Sequence, residues 1–175
     1  ITAKPITVTA NSSQTKTYGQ SNPGAYSYTV TGTLVGADNF SGSLTRVSGE
    51  DVGLYEIQQG TLALSSNYNI TYVPANFEIT PKSITVVANN MQNKFYGDTD
   101  PTLTYWLMGT LETGDSFTGA ISRDAGEDVG NYAITLGTLS AGSNYTLGFT
   151  SAQFQIKVKP ITITVTAGQT KVYGQ

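Results

Sequence analysis

The sequence predicts an all-β protein made of two small domains in tandem, and three observations support that prediction. Segments of the first half recur in the second half, with Lys4 returning as Lys82, so the period is about 78 residues. Apolar and polar residues alternate with the period of two that is typical of strands. Glycine and asparagine interrupt these alternating segments throughout the chain, which is the chemistry of turns.

The recurrence is too extensive for chance and indicates a duplication. The segment KPITVTANSSQTKTYGQ at 4–20 returns as KSITVVANNMQNKFYGD at 82–98 and again as KPITITVTAGQTKVYGQ at 159–175. Three further segments have a partner in the other half: 32–46 matches 109–123, 49–57 matches 126–134, and 66–79 matches 143–156. The predicted organisation is therefore a first β repeat at 1–81, a second at 82–158, and a segment at 159–175 that is either the start of a third repeat or the closing strand of the second domain.

Each repeat is predicted to contain about six or seven strands. The segment at 5–10 illustrates the pattern, since it places Ile6 and Val8 on one face and threonines on the other. The segments 35–40 and 112–117 are the only candidates for helical structure, and each is long enough for a single turn.

The junction between the repeats is predicted to be stiff. No flexible linker separates the last strand of the first repeat from the first strand of the second, and Pro81 fixes one backbone angle there. The segment 160–167 has the pattern of a strand, so we expect it to pair with the second domain or with a neighbouring molecule.

The composition argues against several classes of function. The sequence contains no cysteine and no histidine, which excludes disulfides, the commonest soft metal ligands and the ordinary Ser/His and Cys/His triads. A net charge of −3 with scattered lysines argues against a nucleic-acid partner. No apolar run approaches the ~20 residues of a membrane-spanning helix. We expect no enzymatic activity, no cofactor and no bound metal.

The recurring GEDVG segments at 49–53 and 126–130 are the first candidates for a binding site. Their adjacent acidic residues could offer oxygen ligands to calcium: Glu50, Asp51, Glu127 and Asp128. Adjacent side chains of an extended segment point to opposite sides, however, so a structural role is favoured. In that role the acidic residue and glycine form a turn, and a tyrosine hydroxyl bonds back to the backbone, as in a tyrosine corner. The residues assigned to this corner are Gly53, Tyr55, Gly130 and Tyr132.

Two other polar sites each have a functional and a structural interpretation. Asp98 and Asp100 alternate in a second candidate cation loop, but the matching segment at 18–23 contains no acid, which favours a turn leading into proline. A covalent lysine–asparagine bond requires a buried lysine, an asparagine and a carboxylate together. The residues available for it are Lys16 or Lys94 with Asn67 or Asn144 and with Glu50 or Glu127. Solvated lysines are the expected case.

Trp106 and its neighbour Tyr105 form the one candidate sugar-stacking platform, with Tyr28 near the same place in the first repeat. On a strand, one of two adjacent aromatic residues faces outward in any case. Packing in the core or at the junction is therefore the favoured interpretation.

The ordered motifs of the two repeats resemble those of a known family. The motif of lysine, one residue, tyrosine and glycine occurs three times, and its paired copies hold Tyr18 and Gly19 in the first repeat and Tyr96 and Gly97 in the second. A proline, a G-T-L segment, G-x-Y-x-I, N-Y and F-x-I follow in order. This order is similar to the MBG domain of the YGX type, which occurs in tandem in large bacterial surface proteins and adhesins. The resemblance implies an extracellular location on the bacterial surface and an Ig-like sandwich or a β-grasp-like fold, with no catalytic residues to transfer.

Two functions follow as expectations. The first is a non-enzymatic stalk that extends an adhesive region from the cell, with neighbouring repeats of the same chain as partners. The second is a module that binds a glycan or a host-surface protein. Recurrence is concentrated in glycine, tyrosine and alternating apolar positions while the loops differ, which favours the stalk.

Overall fold

A computed structural model of the chain describes residues 1–174 and confirms the all-β prediction. The regular elements of the described residues are strands, and each repeat contributes seven of them. The first repeat contains β1 (Lys4–Ala10), β2 (Gln14–Thr17), β3 (Tyr28–Thr31), β4 (Thr45–Arg46), β5 (Gly53–Gln58), β6 (Tyr68–Val73) and β7 (Ala75–Thr80). The second contains β8 (Lys82–Ala88), β9 (Gln92–Phe95), β10 (Tyr105–Met108), β11 (Ser122–Arg123), β12 (Gly130–Thr135), β13 (Tyr145–Thr150) and β14 (Gln153–Lys157).

Each repeat is a sandwich of two sheets. In the first repeat one sheet has the order β3-β1-β6 and the other has the order β2-β7-β5-β4. β1 runs parallel to β6 and β2 runs parallel to β7, whereas the other neighbours are antiparallel. The second repeat has sheets of order β10-β8-β13 and β11-β12-β14-β9. The described residues contain no helix that could cross a sheet, so the sandwich alternative is the one that the chain adopts.

The alternation read in the sequence builds the core between the two sheets. In β1, Ile6 and Val8 point inward and are 1% and 0% exposed. Phe77 and Ile79 of β7 meet them from the opposite sheet and are equally buried. Each such side chain contributes about 1.5–3 kcal/mol of hydrophobic stabilisation. The second repeat buries the matching residues of β8 and β14.

The two segments predicted to form single helical turns are β-turns instead. The amide of Asp38 bonds to the carbonyl oxygen of Val35 at 3.1 Å, and Asp115 bonds in the same way to Glu112. Gly36 has a φ of 59° and Gly114 a φ of 98°, a left-handed conformation that ends a helix after one turn. These two turns hold Asp38 and Asp115, and Asp115 contacts the first repeat at the junction.

Residues 159–174 follow β14 and contain no strand. The pairing predicted for 160–167 is therefore not formed within the described chain. The matching strands of the repeats, β1 and β8, each pair with two strands of their own repeat, and the second repeat already holds its copy in β8. Whether 159–175 begins a third repeat stays a prediction, and Gln175 lies outside the described residues.

Candidate functional site at the junction of the repeats

A lysine is buried in each repeat, which corrects the expectation that both are solvated. The Lys16 side chain in β2 is 4% exposed and forms an ion pair with Glu50. Arg46 bonds to the other oxygen of Glu50 at 2.5 Å, and the Arg46 guanidinium lies over the ring of Tyr55, 4.9 Å from its centre. The hydrogen bond from Lys16 lowers the pKa of Glu50 below its ordinary value. Each buried cation thus has a carboxylate partner.

The second repeat builds the same cluster with one more acid. Lys94 pairs with Glu127 and with Asp100, and Arg123 bonds to both carboxylates at 2.7 Å. Asp100 stands where the first repeat has Asn22, whose oxygen accepts a 3.0 Å bond from Arg46. The Arg123 guanidinium, with Lys94, lowers the pKa of Asp100 to about 2.

These ion pairs show which groups the candidate acidic residues contact. No group of three or more acidic side chains able to hold a metal ion occurs in residues 1–174. Asp100 forms ion pairs with Lys94 and Arg123, and Asp98 lies 3.1 Å from Lys159. Of the two asparagines considered for a covalent bond, Asn144 is engaged elsewhere, since its side chain bonds to Asp51. The structure brings each buried lysine to a carboxylate and places Asn144 in a different contact.

The tyrosine corners have the geometry that their hypothesis requires. The hydroxyl of Tyr55 donates to the carbonyl oxygen of Asp51 at 2.8 Å, and Tyr132 bonds to Asp128 at the same distance. The ring of Tyr55 lies directly against Gly49, where a Cβ atom would stand 2.2 Å from a ring carbon. Gly53, named from the sequence, begins β5, whereas the close approach to the ring occurs at Gly49 and, in the second repeat, at Gly126. Whether these corners stabilise the repeats stays a prediction.

The aromatic pair of β10 divides between the two faces of its sheet. Tyr105 is half-buried and packs edge-on against Phe117 at 6.1 Å. Trp106 is 50% exposed, so the favoured interpretation of core or junction packing is wrong for this residue. Its position in the first repeat is taken by Thr29, and Tyr28 packs inward like Tyr105.

The two repeats contact one another through the tyrosine of the first YG motif. Tyr18 directly follows β2, and its amide is tied to the carbonyl oxygen of Thr80 at 2.9 Å. Its hydroxyl donates to Oδ2 of Asp115 at 2.9 Å, across the junction. Its ring packs edge-on against Tyr145, with ring centres 5.4 Å apart. Gly19, beside it, approaches the side chain of Glu112 so closely that a Cβ atom would stand 2.3 Å away.

A second contact lies beside the first and uses both polar atoms of one amide. The Asn144 oxygen accepts the backbone N–H of Val52 at 2.9 Å, and the Asn144 nitrogen donates to the Asp51 carboxylate at 2.8 Å. Asp51 and Val52 come immediately before β5, and Asn144 immediately before β13. The side chain thus bridges the repeats as a two-point clamp.

Asp115 is the centre of this junction because it receives two phenol groups. Tyr145 also donates to Oδ2 of Asp115, at 2.5 Å, while its own oxygen accepts the backbone N–H of Glu112 at 2.8 Å. Burial and the Asp115 carboxylate raise the pKa of Tyr145 to about 12. The hydrogen bond to Asp115 likewise raises the pKa of Tyr18. Both phenols therefore remain protonated donors through the physiological range.

Two surfaces, with copies in both repeats, describe the junction. We call the first the inserting face; it holds Tyr18, Gly19, Asp51 and Val52 in the first repeat and Tyr96, Gly97, Asp128 and Val129 in the second. We call the other the receiving face; it holds Asp115, Asn144 and Tyr145 in the second repeat and Asp38, Asn67 and Tyr68 in the first. The inserting face of the first repeat lies against the receiving face of the second.

The sequence identified half of this site. The YG motif singled out Tyr18 and Gly19 because it recurs, but recurrence does not reveal what a residue contacts. Asp115 was missed, and Asn144 was considered only as a partner for a covalent bond. The recurrence of Asp38 as Asp115 was the signal that could have drawn attention to the turn.

Comparison with known proteins agrees with the repeat structure. The family model of the MBG domain (YGX type) matches the chain twice, over residues 6–78 and 84–155. No curated protein and no solved structure matches the chain. Within residues 1–174, no helix is long and apolar enough to cross a membrane.

Proposed function

Because the chain belongs to the family of MBG domains of the YGX type, we propose that it is a structural repeat of a bacterial cell-surface protein. In this role the tandem repeats act as a non-enzymatic stalk that extends an adhesive region away from the cell. The proposed location is extracellular, and the principal partners are neighbouring repeats. The observation that carries the proposal is the contact between the repeats, in which one face of each is dedicated to its neighbour.

The connection between the repeats supports a load-bearing role. β7 ends at Thr80 and β8 begins at Lys82, so Pro81 alone connects the two domains. Proline fixes its own φ, and the junction adds hydrogen bonds from Tyr18 and Asn144 on either side. A short connection reinforced by side chains favours a stiff junction, because bending it requires those contacts to break. Linear arrays in which each unit contacts its neighbours gain stability in the same way.

The charged groups of the repeats support a role without catalysis. Glu50 is held by Lys16 and Arg46, and Glu127 is held by Lys94 and Arg123. These ion pairs anchor loops to the sandwich, and they depress the carboxyl pKa values instead of poising them near neutrality.

Binding of a glycan or a host protein is the second candidate, and Trp106 is the observation that favours it. Its ring is 50% exposed on an edge strand, as a stacking platform requires. The first repeat has Thr29 at that position, so the two repeats do not share the platform. The residues of the inserting and receiving faces recur in both repeats, whereas Trp106 does not. The stalk is therefore the preferred function.

Small-angle scattering of the full chain tests the stalk. The expected result is an elongated particle, whose maximum dimension equals the two repeats placed end to end and does not change with salt concentration. A compact particle, with one repeat folded back on the other, would contradict the proposal. A saturable hit on a glycan array that Trp106→Ala abolishes would favour the second candidate.

A further inference from the structure

The receiving face of the first repeat is preformed. The hydroxyl of Tyr68 donates to Oδ2 of Asp38 at 2.7 Å and accepts the N–H of Val35 at 2.8 Å. This is the arrangement that Tyr145 makes with Asp115 and Glu112 in the second repeat. The turn that holds Val35 and Asp38 is therefore already in position beside Tyr68, although no neighbouring repeat contacts this face within residues 1–174.

What differs between the two receiving faces is the second donor. Oδ2 of Asp115 accepts both Tyr145 and Tyr18, whereas among residues 1–174 Asp38 accepts a side-chain hydroxyl from Tyr68 alone. Asp38 is exposed and Asp115 is partly buried. An open cavity of about 470 Å³ lies on this face, lined by Asp38, Asn67 and Tyr68 together with residues 1–4. The place that Tyr18 fills on the second repeat is thus open on the first.

Among residues 1–174, no repeat packs on the inserting face of the second repeat. Tyr96 and Val129 are each 51% exposed, although their counterparts Tyr18 and Val52 are partly buried at the junction. A Cβ atom on Gly97 would contact nothing within 4 Å. A cavity of about 440 Å³ beside Val129 continues this surface along β12 and β14.

We propose that these two free faces are docking surfaces for further repeats of the same kind. Asp38 and Asn67 receive the tyrosine and the Asp–Val pair of a preceding repeat, and Tyr96 inserts between the aspartate and tyrosine of a following one. The occupant follows from the junction already formed in this chain, because each free face carries the side chains that make that junction.

The sequence flanking both faces supports the same occupant. Residues 1–3, Ile-Thr-Ala, align with Ile79, Thr80 and Pro81 at the end of the first repeat. At the other end, 159–175 has the sequence of the start of a repeat and begins with Lys159 beside Asp98. Residues typical of a neighbouring repeat therefore lie next to each free face.

The chemistry of the faces is also specific. An exposed carboxylate and amide on one face match a phenol hydroxyl, a carboxylate and a backbone N–H on the other. A phenol donor beside an aromatic ring satisfies the carboxylate and packs on Tyr68 at once.

The inference deepens the proposed stalk, on which it rests, and it is tested separately by disulfide trapping. The chain has no cysteine, so one introduced thiol per chain reports a single contact. A full chain with Asp128→Cys is mixed with an equal amount of a full chain with Asn67→Cys in a glutathione buffer. Both residues are exposed and their counterparts, Asp51 and Asn144, touch at 2.8 Å.

If the faces dock, the ratio of the mixed disulfide dimer to the two symmetric dimers is expected to be about tenfold higher than random pairing of the two chains would give. Adding Tyr96→Phe to the Asp128→Cys chain is expected to reduce the excess, because the phenol no longer reaches Asp38. Tyr105→Phe is the matched control and is expected to leave the excess unchanged, since Tyr105 lies in β10, outside both faces.

A chain carrying Asp51→Cys and Asn144→Cys together verifies that the pair can form a disulfide, at the junction already present. If that internal disulfide forms and the mixed dimer shows only its statistical share, the docking proposal is wrong. That outcome leaves the stalk standing if scattering still finds an elongated chain. An elongated chain is not required for the trapping to succeed, so the two results are independent.

Discussion

Tyr18 and Tyr96 occupy the same position of the same motif in two repeats, and their surroundings differ. Both precede a glycine with a φ near 80°, at 82° for Gly19 and 81° for Gly97. Tyr18 is bonded to Asp115 and packed on Tyr145, whereas Tyr96 is 51% exposed. The contacts that distinguish Tyr18, with Asp115 and Tyr145, come from the neighbouring repeat. The backbone of the motif is set within its own repeat, and its environment depends on which repeat follows.

The largest expected effect concerns the tyrosine corners, a feature that the two repeats share. Gly49→Ala and Gly126→Ala each force a Cβ atom onto a tyrosine ring, 2.2 Å from the nearest carbon, at a φ of about 145°. Each substitution is expected to cost about 3 kcal/mol of unfolding free energy, since backbone strain and overpacking add. Thermal unfolding followed by circular dichroism measures both. Markedly unequal costs would mean that the corners differ between repeats.

The second largest expected effect concerns the motif tyrosines, Tyr18 and Tyr96, whose surroundings differ between the repeats. Tyr18→Ala removes a hydrogen bond to a carboxylate and an aromatic contact, so it is expected to destabilise the second repeat by about 2 kcal/mol. Trp106 is the only tryptophan and lies in the second repeat, so its fluorescence during urea unfolding reports that repeat. Tyr96→Ala is the matched control; it lies in the second repeat itself and is expected to change this stability by less than about 0.5 kcal/mol. A larger loss of stability for Tyr96→Ala than for Tyr18→Ala would show that Tyr18 does not stabilise the second repeat.

Much of the fold could be predicted from the sequence, since local patterns carry it. Alternation placed Ile6 and Val8 in the core, and recurrence separated the two repeats. The pairing of β1 with β6 and of β2 with β7 could not be predicted, because parallel pairing joins segments far apart in the chain and leaves no local signal. The Asp115 contact could not be predicted for the same reason, since Asp115 lies 97 positions after Tyr18 in the chain. The burial of Lys16 was missed because a lysine in a strand gives no sign of the carboxylate that pairs with it.

The smallest expected effect is an additional acid dependence of the second repeat, which comes from Asp100. Asp100 has a pKa lowered to about 2 from an ordinary 3.8, so its contribution to stability is present above pH 3.8 and is lost as the pH falls toward 2. Asp100→Asn gives the second repeat the residue found at Asn22. We expect this substitution to weaken the pH dependence of Trp106-reported unfolding between about pH 4 and 2. An unchanged pH profile would show that Glu127 alone holds Lys94 and Arg123.

The central claim is that the contact of Tyr18 with Asp115 fixes one repeat on the other. Residual dipolar couplings of the full chain test it most directly, because backbone couplings report the orientation of each repeat separately. The account predicts that the couplings of 4–80 and 82–157 fit one common alignment tensor, and that Tyr18→Ala separates them into two while Tyr96→Ala does not. Two different tensors in the unmodified chain would show that the repeats move independently and would contradict the account.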